Sequence, residues 1–141
     1  MANLIYRSLL RRRIVVVEDS FFLASHIADV LEEVGASILG PVPAFEQALK
    51  VAQSMDLDAA VFNSVLRGLR SDQLAESLGR RGVLCLVLSL TDKDDTDPLL
   101  RNHAVFQWPF DPRILVDMVV ALVSRSTSSV DRQPPNPAHF Q

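Results

Sequence analysis

Two adjacent acidic residues, Glu18 and Asp19, follow the first strongly apolar run of the sequence. Hard carboxylate oxygens close together can hold Mg²⁺, which keeps several of its own waters when bound. The same two residues also suit the first turn of a helix, where an acidic side chain caps free N–H groups and complements the helix dipole. The pair therefore indicates either a divalent-cation site or a helix start, and the two residues alone leave both open.

Five short apolar runs predict the scaffold that would position these acids. They begin near residues 14, 36, 59, 83 and 104 and are continuous and apolar, as buried parallel strands are. Helical patterns lie between them, and the interval of roughly 21 to 24 residues suits one strand, one helix and two loops. We therefore predict an α/β fold, a flavodoxin-like three-layer sandwich. Its five-stranded parallel sheet has the order 2-1-3-4-5, with helices on both faces.

The residues that come directly after the strands are the candidate site residues. In a sheet of this order, ligands bind beyond the carboxyl ends of the strands, where the strand order reverses. Glu18 and Asp19 follow the first strand, Asn63 the third, Ser89 the fourth and Trp108 the fifth. We expect these five side chains to meet at one edge of the sheet.

The stretch from residue 13 to residue 123 resembles the receiver (CheY-like) domain of bacterial response regulators. The residues that carry the resemblance occur in the order of the family: Val15-Val16-Val17-Glu18-Asp19-Ser20, Gly35, Gly40-Pro41, Ala48-Leu49, Asp58-Ala59-Ala60-Val61-Phe62, Leu66-Arg67-Gly68, Gly82-Val83, Leu88-Ser89 and Pro109-Phe110-Asp111. The resemblance implies the predicted fold, and it also implies a cis peptide bond between Trp108 and Pro109.

The resemblance further implies four chemical roles at the edge of the sheet. In the family, an aspartate after the third strand attacks a phosphohistidine and becomes an acyl phosphate. An acidic pair helps that aspartate to hold Mg²⁺ during the transfer. A lysine after the fifth strand contacts a phosphate oxygen, and a Ser or Thr after the fourth donates a hydrogen bond.

This sequence matches two of those roles and departs from the other two. Glu18 and Asp19 match the acidic pair, and Ser89 matches the hydroxyl position. Asn63 stands at the phosphoacceptor position, where an amide oxygen cannot form the acyl phosphate by this route. Trp108 stands at the lysine position, and an indole is neutral. We therefore predict a degenerate, stand-alone receiver without the phosphoacceptor aspartate, a weak or absent Mg²⁺ site at the acidic pair, and no other cofactor.

The function predicted from this partial match is that of an atypical receiver in two-component or phosphorelay signalling. It would act as a phosphorylation-independent protein–protein interaction module and not as an enzyme. One alternative is a phosphoreceiver with an unconventional acceptor, and another is an unrelated flavodoxin-like enzyme or nucleotide binder. Trp108 is open to two interpretations: it is merely tolerated, or it fills the acidic pocket and fixes one conformation.

The apolar last helix and the fifth strand are the predicted partner surface. A helix that is apolar on more than one face needs cover on both sides. The resemblance further implies a partner surface here, because the face made by the fourth helix, fifth strand and fifth helix is a common one in the family. The expected partner is a histidine kinase, another regulator or an output protein, and a homodimer is an alternative. The residues predicted to form this surface are Val105, Phe106, Leu115, Met118, Val119 and Leu122.

Composition limits the remaining classes of function. The chain has 141 residues, 48% of them apolar, a net charge of −3 and one cysteine. These values predict a single cytoplasmic domain without a disulfide framework, a basic surface for nucleic acid or a membrane span. We divide the chain into an N-terminal extension (1–12), a receiver-like domain (13–124) and a disordered Ser/Pro-rich tail (125–141). The apolar part of the extension would pack on the domain or on another chain.

Overall fold

The structure is a computed structural model that describes residues 8–90 and 97–132, with side chains described as far as residue 124. Its strands are β1 (Arg13–Val17), β2 (Ser37–Val42), β3 (Ala59–Asn63), β4 (Val65–Leu66), β5 (Leu69–Arg70), β6 (Leu84–Ser89) and β7 (Ala104–Gln107). Its helices are α1 (Phe21–Glu32), α2 (Phe45–Ser54), α3 (Asp72–Arg80), α4 (Pro98–Asn102) and α5 (Pro112–Arg132).

The main sheet has five parallel strands in the order β2-β1-β3-β6-β7. Numbered among themselves, these strands read 2-1-3-4-5, so the predicted order is confirmed. Side chains alternate between the two faces of each strand. Ile14 and Val16 of β1 pack in one core with α1 and α5, whereas Val15 and Val17 pack in a second core with α2, α3 and α4. Helices therefore cover both faces of the sheet, as predicted.

The second strand is longer than the sequence predicts. Gly40-Pro41 is a turn signal and predicts a strand that ends at Leu39, but β2 continues to Val42. Gly40 has a φ of +97°, and a Cβ there would lie 2.7 Å from the backbone nitrogen of Val42. This glycine lets the strand bulge, so that Val42 pairs with Val17 after a shift of register.

A short hairpin that the sequence analysis did not predict follows β3. Its strands β4 and β5 are antiparallel and pair Val65 with Arg70 and Leu66 with Leu69. The two turn residues both have positive φ, 52° at Arg67 and 79° at Gly68, as a two-residue type I′ turn requires. The sequence signal for this turn is weak, because Gly68 suits its second position but Arg67 stands where Asn, Asp or Gly is usual.

The N-terminal extension takes part in the core. Leu9 is fully buried in the core shared by α1 and α5, and its N–H donates to the carbonyl of Val34 at 2.9 Å. Gly35 makes room for this segment, because a Cβ there would lie 3.1 Å from the backbone of Leu10. The described end of the extension thus packs on its own domain. Residues 1–7 lie outside the described part.

The last helix is also longer than predicted. We placed the end of the receiver-like domain at residue 124, but α5 continues to Arg132, into the segment assigned to the tail. Neither glycine nor a second proline occurs between Pro112 and Pro134, and Ser and Thr only weakly oppose a helix that has already started. Residues 133–141 lie outside the described part. Among the described residues, no helix has both the length and the apolar character needed to cross a membrane.

Candidate functional site

Four of the five predicted site residues line or underlie one pocket at the carboxyl edge of the sheet. Glu18 directly follows β1, and Asn63 and Ser89 end β3 and β6. These three side chains are almost fully buried, whereas Asp19 is exposed. The pocket has a volume of about 570 Å³, and its lining includes Asp19, Asn63, Ser64, Val65, Arg70, Ser89 and Leu90.

Glu18 is held by two neutral donors. Its Oε1 accepts a hydrogen bond from Nδ2 of Asn63 at 2.8 Å, and its Oε2 accepts one from the N–H of Ser20 at 2.7 Å. Burial raises the pKa of Glu18 above its ordinary value, because the charged form loses water. Ser20 also caps α1 through its side chain, so the same residue binds Glu18 and begins the helix.

Asn63 uses both ends of its amide. Nδ2 donates to Glu18, and Oδ1 accepts from the N–H of Val65 at 3.1 Å. Its backbone carbonyl accepts from the hydroxyl of Ser71, directly before α3. The side chain therefore joins β1 to the hairpin, while the backbone joins β3 to α3. An amide suits this position because it offers a donor and an acceptor at once, whereas a carboxylate offers acceptors only.

Asp19 binds the turn of the hairpin. Its Oδ2 accepts the N–H of Arg67 at 2.7 Å. The pKa of Asp19 lies below its ordinary value, chiefly because of the hydrogen bond that it shares with Glu18 and further because of the Arg67 N–H. Asp19 thus holds the strained, positive-φ turn residue Arg67 in place.

Arg70 is a cation at this edge that the sequence analysis missed. Its guanidinium donates to both carboxylate oxygens of Asp97 (2.6 Å to Oδ2), and its Nε donates to Asp72 at 3.1 Å. Asp97 also caps α4 by accepting the N–H of Leu99. The paired arginine lowers the pKa of Asp97. One side chain thereby ties the hairpin to α3 and α4. The only sequence signal was Asp97-Pro98, which is typical of a helix start.

Trp108 lies beside the pocket and not in it. Its side chain is 39% exposed, and its ring meets that of Phe110 edge to face at 5.6 Å. Phe110 in turn contacts the rings of Phe106 and His26. The indole is therefore not among the residues that line the acidic pocket, and it packs edge to face on a neighbouring aromatic ring. The Trp108-Pro109 bond is cis, as the resemblance implied.

Half of the predicted partner surface is inaccessible. Phe106, Leu115 and Val119 are buried in the core that β7 and α5 share with α1. The other three, Val105, Met118 and Leu122, are half-buried. A groove of about 510 Å³ between β7 and α5 is lined by Val105 and Met118 together with Ile114, which is 51% exposed and was not predicted.

Comparison with known proteins finds the same architecture. Neither a family model nor a curated protein matches the sequence. Among solved structures, SdrG from Pseudomonas melonis Fr1 in its BeF3-activated conformation is 28% identical, with a TM-score of 0.70 over 79% of this chain and 95% of that one. A two-component response regulator from Clostridium difficile is 17% identical (TM-score 0.72, 82% and 98% covered). A CheY-like receiver domain from Methanospirillum hungatei JF-1 is also 17% identical (TM-score 0.70, 84% and 98% covered).

This chain has the response regulator receiver fold. The fold places Glu18, Asp19, Asn63 and Ser89 at the carboxyl edge of its sheet, where the resemblance assigned them. The family at large uses three carboxylates here to hold Mg²⁺, and the residues of this receiver do not fit that arrangement. Asn63 turns an N–H donor toward Glu18, both of whose oxygens already accept hydrogen bonds. Within residues 8–90 and 97–132, no three His, Cys, Asp or Glu side chains are grouped to hold a metal ion.

Proposed function

We propose that this receiver is a protein–protein interaction module of two-component or phosphorelay signalling that works without phosphorylation. Asn63 carries the proposal. Acyl-phosphate formation needs a carboxylate nucleophile, and Asn63 offers a neutral amide whose oxygen already accepts the N–H of Val65. The hydrogen bonds of Asn63 support a constitutive structural role, in which the loop after β3 is held in one position.

We further propose that the domain has no enzymatic activity and no required cofactor. Any Mg²⁺ binding at Glu18 and Asp19 is weak, because only two carboxylates remain and both already accept N–H groups. Cys85, the single cysteine, is buried in β6, and burial raises the pKa of its thiol to about 12. That thiol is therefore not a nucleophile at neutral pH.

The partner is a histidine kinase, another regulator or an output protein. The groove between β7 and α5 supports one docking face, since Ile114 is exposed and Met118 and Val105 continue its apolar surface. A homodimer through this groove is the alternative. Sedimentation of the protein with and without Ile114→Asp distinguishes them, because only a homodimer through this face would become a monomer.

Intact-mass measurement after incubation with acetyl phosphate tests phosphorylation independence. The protein should gain no phosphoryl group. The matched control is the double variant Asn63→Asp/Trp108→Lys, which restores the two missing roles and should gain one. A phosphorylated wild-type protein would refute the proposal, and mapping of the group to Asp19 would establish an unconventional acceptor.

A further inference from the structure

The carboxyl edge of the sheet carries an unusual number of exposed apolar side chains. The two phenylalanines at the start of α1 stand out, because Phe21 is 84% exposed and Phe22 is 75% exposed. The hairpin and the residues that follow β6 and β7 each contribute at least one more exposed apolar side chain. We call the following set the apolar rim: Phe21, Phe22, Val65, Leu69, Leu90 and Trp108. Contiguous exposed apolar side chains around a polar centre mark an interaction site.

Three contacts hold the loops that carry the rim next to one another. Asp19 accepts the N–H of Arg67 at 2.7 Å and so ties the start of α1 to the hairpin. The N–H of Trp108 donates to the carbonyl of Ser89 at 3.0 Å, which ties β7 to β6. The side chains of Val65 and Leu90 line the same pocket as Asp19. A partner that covers the rim therefore also covers this carboxylate.

The centre of the rim has an excess of negative charge. Asp19, Asp72 and Asp97 face two cations, Arg67 and Arg70, and the guanidinium of Arg70 is already used by Asp72 and Asp97. Glu18 adds a further carboxyl below the surface. Covering Asp19 with an apolar group alone would remove water from a charged carboxylate without replacing it, which is unfavourable.

We propose that the apolar rim binds a segment of a partner protein in which a lysine or arginine is flanked by apolar residues. The flanking residues cover Phe21 and Phe22, and the basic side chain enters the pocket and pairs with Asp19. A second copy of this chain is disfavoured, because an isologous contact through the rim would bring two negatively charged pocket edges together. Anionic membranes and nucleic acids are repelled by the same negative charge.

This inference deepens the proposed function by naming the chemistry of the partner, and it rests on that function only in assuming a protein partner. Its test does not involve phosphorylation. A phosphoryl group found on the protein would overturn the proposed function and leave the result of the following test unaffected. The two proposals can therefore fail separately.

Selection of a displayed library of random 16-residue peptides against the intact protein tests the inference. Enriched peptides should contain a lysine or arginine between apolar residues. Their binding should change the fluorescence of Trp108, which is the single tryptophan of the chain. Phe21→Ser/Phe22→Ser should weaken binding of an enriched peptide about 30-fold or more. An unchanged urea midpoint verifies that this variant is folded.

Two further variants separate the apolar from the charged contribution. Asp19→Asn keeps an oxygen for the N–H of Arg67 but removes the charge, so an enriched peptide should lose about fivefold in affinity. The same variant should make a peptide with norleucine in place of the basic residue bind as well as its parent. Met55→Ser, at an exposed apolar position that follows the C-terminal end of α2, should change nothing.

Several results would overturn the inference. They are a failure to enrich any peptide, enrichment of acidic peptides, binding that survives Phe21→Ser/Phe22→Ser, and binding that Met55→Ser abolishes. Sedimentation that shows a dimer converted to a monomer by Phe21→Ser/Phe22→Ser would overturn it as well, because the rim would then be a contact between two copies of the chain.

Discussion

Replacing Asn63 with Asp exchanges a hydrogen-bond donor for a second carboxylate at almost unchanged volume. In the structure, Nδ2 of Asn63 donates to Oε1 of Glu18 at 2.8 Å, and the two side chains are 4% and 3% exposed. The variant Asn63→Asp would bring two carboxylates together in a site with little water. It would restore the residue type of the family but would not restore a metal ion to separate the charges.

The loss of stability is set by whichever of two outcomes costs less free energy, charge repulsion or protonation of one carboxyl. Two carboxylates about 4 Å apart repel by roughly 4 kcal/mol at an effective dielectric constant of about 20. Protonating one carboxyl with the ordinary glutamate pKa of 4.5 costs about 3.4 kcal/mol at pH 7 and restores a hydrogen bond. Burial raises the pKa of Glu18 and makes protonation easier still. We therefore expect a loss of about 2 to 3.4 kcal/mol in the free energy of unfolding at pH 7.

The pH dependence identifies the cause. A carboxyl whose pKa is raised on folding stabilises the folded state below its unfolded pKa, and that stability is lost as the pH rises through the folded pKa. The deficit of Asn63→Asp should therefore shrink by up to about 1.4 kcal/mol for each unit of pH below 7, and vanish near pH 4.5. Mg²⁺ should raise the stability of the variant and leave that of the wild-type protein unchanged.

Urea unfolding at pH 5 and pH 7 without divalent cations measures this deficit. With a slope of about 1 to 3 kcal/mol per M, the midpoint should fall by about 0.7 to 3.4 M at pH 7. Asn102→Asp, on an exposed residue, is the matched control and should shift the midpoint little. A variant that is as stable as the wild-type protein at pH 7, or a deficit that does not depend on pH, would refute the reasoning.

Two other predictions concern stability. Arg70→Ala should lower the free energy of unfolding by about 1 kcal/mol, since the pair is partly exposed. The pKa of Asp97 is lowered on folding, so the stability that the pair contributes is present above the ordinary pKa of 3.8. That contribution is lost as the pH falls through the pKa of the folded state. Urea unfolding of both proteins across this pH range measures the loss. Leu9→Ala should lower the free energy of unfolding by about 2 to 5 kcal/mol, because Leu9 is fully buried. Leu10→Ala, at a half-exposed neighbour, should lower it much less. Equal losses in the two variants would show that the extension does not pack as described.

The sequence by itself determined the architecture and the residue type at the phosphoacceptor position of the resemblance, an amide in place of a carboxylate. Val15 and Val16 show why the architecture could be predicted: a parallel strand is buried on both faces, so it must be apolar throughout, and such runs at regular intervals leave few other folds. Likewise, Asn63 lacks a carboxylate wherever its side chain points.

Tertiary structure alone decided which side chains meet. No local pattern links Arg70 to Asp97 or Asn63 to Glu18, because these partners come from different elements and are joined only when the sheet is assembled. Periodicity marked Leu115 as apolar, but it could not say that α1 and the sheet cover it. The reason is physical: local sequence sets the conformation of each segment, whereas burial and hydrogen-bond partners depend on neighbours that are distant along the chain.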